Sequence, residues 1–288
     1  MRTRRRAMWI GVFMLVTVSL IAMSTLLAQV RTKVSKEDLA VQELVDLLAE
    51  YPDDARVHYR LGILLSRQDL REESLEHIEE AIRLDPGCER YSNTYRMICI
   101  WWTEYLRCID FFEEMIEKNP NTSELKLHLS LAYVDKMPWA KMGMVSQGKL
   151  SNLSMAQITK VIEADSSNWA AWYARAMNHL HWPRAMKHAE RSIADFEKAM
   201  ELQKALGLSK PSRYFEYTYI GLGDALVKDY RHDEGRGVWR QGLKLFPHSA
   251  QLRKRLSFDD NVELEEWMKK ARALEKQIDT DLSIVWAK

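Results

Sequence analysis

Leu48-Ala49-Glu50-Tyr51-Pro52, Ile82-Arg83-Leu84-Asp85-Pro86 and Ile116-Glu117-Lys118-Asn119-Pro120 are three phrases of one kind, each closed by a proline. The prolines recur every 34 residues. A fixed period of that size in a helical sequence marks an array of helix–turn–helix units, because one hairpin cannot bury its apolar face without a neighbour. The expected fold is therefore all-α, a repeat solenoid with one extended surface suited to holding a partner.

The residues between the prolines refine this. Leu61-Gly62, Leu65, Ser74, Ile78 and Ala81 precede Pro86, and Tyr219, Leu222-Gly223, Leu226, Gly235, Trp239 and Gly242 precede Pro247. Both sets place a small residue where two antiparallel backbones must come close. Together they resemble the tetratricopeptide repeat (TPR). His58 stands where that family has Trp, and the second unit keeps Cys108, Phe112 and Pro120 but has Tyr95-Arg96 in place of Leu-Gly. The resemblance covers residues 37–257 and implies a TPR-like superhelix of about five units.

The middle of the array is stretched. Leu129 and Tyr133 open a third unit whose second helix, with Ser154, Ile158 and Val161, follows an insertion near 137–150. Pro138 and Gly143 there oppose a continuous helix. A fourth unit, with Trp172, Ala176, Ser192, Phe196 and Ala199, carries a shorter insertion at 181–184 around Trp182-Pro183. Such insertions fall on loops, where they either add to a binding face or adjust packing.

The two ends differ from the array. Residues 1–6 form a basic stub, and the run Ala7–Ala28 within segment 7–30 carries no charge. It is long enough to span a bilayer as a helix, and longer than the apolar core of a cleaved signal peptide. The expectation is an uncleaved signal anchor with its arginines on the cytoplasmic side. Residues 1–36 hold seven of the 42 Lys and Arg and none of the 41 acids, leaving the remainder at 35 against 41. An acidic body without a basic stripe argues against nucleic acid. Next, Ala40, Leu44, Leu47, Leu48 and Tyr51 suggest one apolar helix face that seals the array. Residues 258–288 read as a capping helix and tail: Leu264, Trp267, Ala271, Leu274 and Ile278 form a stripe for capping or self-association. The apolar Leu282–Trp286 is expected to dock back on the last helices.

Candidate chemistry is sparse. His179, His181 and His188 flank Trp182-Pro183 without the residues that would complete a metal shell. There is no Gly-rich phosphate loop, Gly-x-Ser-x-Gly elbow or His-Glu-x-x-His helix. No cofactor is implied. Cys99 and Cys108 hold facing repeat positions, so a bridge is conceivable beside simple core use.

The TPR resemblance implies that the first helix of each unit lines the inner curve. By repeat position this places Arg56, Tyr59, Ile63, Arg90, Asn93, Met97, Trp101, Leu127, Leu131, Tyr173, Met177, Tyr217, Ile220 and Asp224 along a groove. The lysines and asparagines with which some TPR domains clamp a terminal carboxylate are replaced by Tyr59, Ile63, Thr94, Glu124 and His128. An aromatic, Met-rich groove suits a partner helix or extended peptide. The implied protein is a non-enzymatic, membrane-anchored scaffold or assembly factor facing the periplasm from a bacterial inner membrane. The alternative is a ligand-binding or transport accessory protein enclosing a small apolar molecule, its cavity walled by Trp139, Trp169 and Trp182.

Overall fold

A computed structural model describes residues 36–137, 142–205, 215–274 and 280–282. The proposed anchor at 7–30 and Trp139 lie outside the described residues. Among those described there is no strand, and no helix is long and apolar enough to cross a membrane.

Thirteen α-helices are described. A lone α1 (Lys36–Glu50) precedes five hairpins: α2 (Ala55–Arg67) with α3 (Arg71–Leu84), α4 (Glu89–Trp102) with α5 (Tyr105–Lys118), and α6 (Ser123–Lys136) with α7 (Met144–Ala164). Then come α8 (Trp169–His181) with α9 (Ala189–Ala205), and α10 (Phe215–Lys228) with α11 (His232–Leu245), before α12 (Ala250–Leu256) and α13 (Asn261–Leu274). The first helices α4, α6, α8 and α10 contact one another in succession, forming one layer of an all-α repeat solenoid.

Local chemistry sets the helix boundaries. Asp54 accepts from the backbone N–H groups of Arg56 and Val57, Asn168 from Ala171 and Ser249 from Leu252, which satisfies donors that a helix start leaves open. The turn inside the first, second and fifth hairpins puts Asp69, Thr103 and Tyr230 at φ of 59°, 62° and 65°. Left-handed backbone at a non-glycine residue costs about 1–2 kcal/mol, so the hairpin packing imposes this turn against local preference.

That packing rests on small residues. Ser74 Oγ donates to the Gly62 carbonyl at 2.8 Å, and Ser192 Oγ to that of Ala176 at 2.8 Å. A Cβ on Gly235 would lie 2.8 Å from the Gly223 oxygen. The apolar interior is accordingly a row of clusters rather than one centre. Leu44 joins α1 to Val57, Leu61 and Leu65, and Ile78, Tyr95, Phe112 and Leu129 fill the next interval. Ile158, Val161 and Ala171 lie beyond them, and Phe196, Leu222, Trp239 and Leu264 close the far end.

Three expectations are corrected. Leu47 of α1 and Tyr51 just after it are exposed, because α1 turns Val41, Leu44 and Leu48 onto α2 instead. Residues 144–150 are not a loop: α7 starts at Met144 with Gly143 extended as its N-cap, and the helix runs through Gly148. Of the apolar Leu282–Trp286, only Leu282 is described; Ser283–Trp286 lie outside the described residues, and Leu282 is not on the last helices. Thr280–Leu282 reaches back to α4 and α6, near the other end of the chain.

Of the proposed stripe, Leu264 is buried in the last cluster, which also holds neighbouring Met268, and Trp267 packs beside Phe258, whereas the Leu274 side chain and Ile278 lie outside the described residues. Cys99 and Cys108 are free thiols, and burial pushes the Cys108 thiol well up.

The small-residue contact is directly testable. A Cβ on Gly62 would stand 2.4 Å from Ile78 Cγ1 and 2.9 Å from the Ser74 carbonyl oxygen, the latter fixed in backbone. Gly62→Ala is expected to cost about 1–3 kcal/mol, the usual scale of overpacking, and to lower the melting temperature. Gly237→Ala, in α11 with nothing near its Cβ, is expected to leave stability unchanged or raise it by up to about 1 kcal/mol. Thermal melts of the two variants side by side check both signs.

Candidate functional site

The second hairpin breaks the small-residue rule. Arg96 stands one repeat period after Gly62, and its side chain turns into the layer of first helices, where it is fully buried. Its Nε donates to Asp135 Oδ2 of α6 at 2.9 Å, and Nη1 donates to His128 Nδ1 at 3.2 Å. A guanidinium has only donors, so it fixes Nδ1 as the acceptor and His128 as the neutral tautomer protonated at Nε2. Burial, and then the Arg96 charge, hold His128 well below its ordinary pKa. Two buried charges pair and one imidazole stays neutral, a combination whose disruption commonly costs about 3–5 kcal/mol.

The chain's own segment completes this site. Arg96 Nη2 donates to the Thr280 carbonyl at 2.8 Å, and the Thr280 hydroxyl donates to Asp135 Oδ1 at 2.5 Å. Asn93 holds the next two residues at once: Nδ2 donates to Asp281 Oδ1 at 2.8 Å, and Oδ1 accepts from the Leu282 backbone N–H at 3.0 Å. The Leu282 side chain is buried in the cluster containing Leu127, Leu131, Ile158 and Ile162. The arrangement reads main chain through Arg96 and Asn93, and side chains through Asp135 and an apolar cluster.

The groove residues inferred from repeat position fall into three groups. Arg56, Arg90, Trp101 and Tyr217 are exposed, Trp101 at 83%. Arg56 pairs with its own helix cap, Asp54. Asn93, Met97 and Trp101 follow at intervals of four along α4, so the exposed indole lies two turns beyond the seated segment. Tyr59 and Met97 are half-buried, Tyr59 bonding Thr94 at 3.0 Å and packing on Tyr91. The expectation of an open lining is corrected at the remaining positions. Leu127 and Leu131 are buried in the cluster that holds Leu282, and Ile220 is core. Tyr173 packs between Trp169 and Phe196, Met177 lies against the last cluster, and Asp224 forms a buried bidentate pair with Arg255. Arg96, Asp135, Thr280 and Leu282 were missed; the one signal was Arg96 in a glycine position.

The two insertions meet each other. Trp182 Nε1 donates to Ser151 Oγ at 2.8 Å, its ring lies 3.4 Å from where a Gly148 Cβ would be, and it stacks on His188. His179 and His188 pair through their Nδ1 atoms at 2.8 Å, and His181 bonds the Met177 carbonyl. These inserted residues therefore serve packing at this place. A cavity of about 720 Å³ lies elsewhere, between Arg184, Val227, Lys228 and the α13 residues Asn261, Glu265 and Met268. Neither Trp169 nor Trp182 lines it.

Comparison with known proteins agrees with this architecture. Residues 55–88 match the tetratricopeptide repeat family model. PilW, a widely conserved type IV pilus biogenesis factor, superimposes with a TM-score of 0.53 at 13% identity, covering 82% of this chain and 97% of PilW. A thermophilic TPR protein of Thermus thermophilus superimposes with a TM-score of 0.51 at 13% identity, covering 70% of this chain and 97% of that one. These likenesses show a TPR-like solenoid fold. No curated protein sequence matches the chain.

The histidine pair makes stability depend on pH. Burial is the main cause that brings His179 down from 6.5 to about 4. The folded value lies below the unfolded one, so the contribution is fully present above about pH 6.5 and is lost as pH falls toward about 4. His179→Gln is expected to melt less steeply with acidity than the parent between those limits, which thermal melts in a pH series measure.

Proposed function

We propose that this chain is a non-enzymatic TPR-type scaffold or assembly factor that holds an extended segment of a partner protein along its first helices. The observation that carries this reading is the seating of Thr280–Leu282. Asn93 and Arg96 grip peptide groups of this segment, and its Leu282 side chain is buried in an apolar cluster with Leu127 and Leu131. Main-chain hydrogen bonds with pockets for side chains are a general way of binding extended peptides. Trp101 adds an exposed aromatic platform on the same helix, of the kind that anchors interfaces. The protein is held in a membrane by segment 7–30 and, in this reading, faces the periplasm from a bacterial inner membrane. The supports are the 22-residue uncharged run Ala7–Ala28 and the four arginines before it.

A photo-crosslinking residue placed at Trp101 or Arg90 in the full chain is expected to trap a partner in native membranes, whereas one at Lys269 is expected to trap none. Adducts from Lys269 alone would move the interface off the groove. With the trapped partner isolated, Trp101→Ala is expected to weaken binding roughly 30-fold, the scale of a lost hot spot, with the melting temperature unchanged because the indole is exposed.

Anchoring has its own test. The chain is expected to stay in the membrane pellet after carbonate washing. A mature N-terminus at Gln29 would show cleavage instead.

A further inference from the structure

We infer that the Asn93–Arg96–Asp135 site selects a hydroxyl–acidic–aliphatic triplet in an extended partner peptide, and that Thr280-Asp281-Leu282 is a resident copy that competes for it. The inference rests on the peptide-scaffold reading above and adds the ligand chemistry and its control.

Each position of the triplet meets a matching group. Asp135 Oδ1 accepts the Thr280 hydroxyl, which a residue without a donor cannot replace. Asn93 Nδ2 donates to the Asp281 carboxylate while its Oδ1 takes the following N–H, so one amide fixes both register and an acidic side chain. Leu282 is buried in an apolar cluster of α6, α7 and α8 that includes Leu127, Leu131, Ile158, Ile162 and Ala171. Arg96 and Asp135 form an ion pair whose partners are almost fully buried. Removing the triplet takes a bond from each, and a buried polar group left without its partner is disfavoured. The vacant site therefore favours a replacement of the same chemistry.

The resident segment is tethered. It follows α13 after a short stretch of chain yet lands on α4, so it competes as an intramolecular ligand at an effective concentration of about millimolar. A partner gains access either by exceeding that competition or when the segment is drawn away. The same groove then exists in a closed and an open form without any change in the repeats.

The test uses a fluorescent peptide with the sequence of residues 278–288, the full-length chain in detergent, and anisotropy titration. Leu282→Asp in the full-length chain expels the resident segment and is expected to bind the peptide with a Kd at least roughly tenfold below that of the parent. Adding Asn93→Ala is expected to abolish that gain, and a peptide with Asp at the position of Leu282 is expected not to bind. If Leu282→Asp proves unfolded, Thr280→Val, which removes only the hydroxyl bond to Asp135, takes its place with the same direction of effect.

Three results would overturn the inference: a folded Leu282→Asp chain that ignores the peptide, equal binding by parent and variant, or equal binding of the altered peptide. Unfolding of both variants would make the segment a structural brace and would equally overturn it. If the peptide fails while Trp101 still traps a partner, this inference falls and the scaffold reading stands.

Discussion

Close approach of two helix backbones inside each hairpin is the constraint from which the remainder of the solenoid follows. Gly62 against Ser74, Ala176 against Ser192 and Gly223 against Gly235 leave no room for a side chain at the crossing. Once those backbones are in contact, the large residues on either side can bury themselves only between neighbouring hairpins. The core becomes a row of clusters, and the first helices are left in one layer with a common outer surface.

At Arg96 the constraint is relaxed, and that exception positions the site. A guanidinium at a glycine position cannot point into the helix crossing, so it extends along the layer of first helices toward Asp135 and His128. Its charge is then buried and needs partners in fixed directions. Asp135 supplies one; the main chain of Thr280 supplies another. Asp224 with Arg255 repeats the buried Arg–Asp pair between α10 and α12. At Arg96 a further donor of the same guanidinium goes to a peptide group of the returning chain.

The inserted residues have the opposite role. Trp182, His188, His179, Ser151 and Asn178 close on one another through stacking and hydrogen bonds, so two stretches of extra sequence become one packed contact between α7 and the end of α8. Burial holds both histidines of the pair below their ordinary pKa, which sets a dependence of stability on acidity rather than a ligand shell.

The 34-residue recurrence of proline and the small residues at hairpin crossings determined the helical hairpins, because both are local requirements repeated along the chain. The length and charge pattern of segment 7–30 likewise belong to the sequence. Repeat position also put Asn93, Met97 and Trp101 together on α4, since helical spacing is arithmetic. Tertiary structure alone decided which of the proposed groove residues remain accessible. Tyr173, Leu127, Leu131 and Ile220 point between hairpins, and their exposure depends on how much each unit rotates against the next. It also decided where Thr280–Leu282 lies, almost two hundred positions from its partners on α4. No periodicity links a three-residue segment to Asn93, Arg96 and Asp135; only the return of the chain past α13 brings a hydroxyl, a carboxylate and a leucine to groups able to receive them.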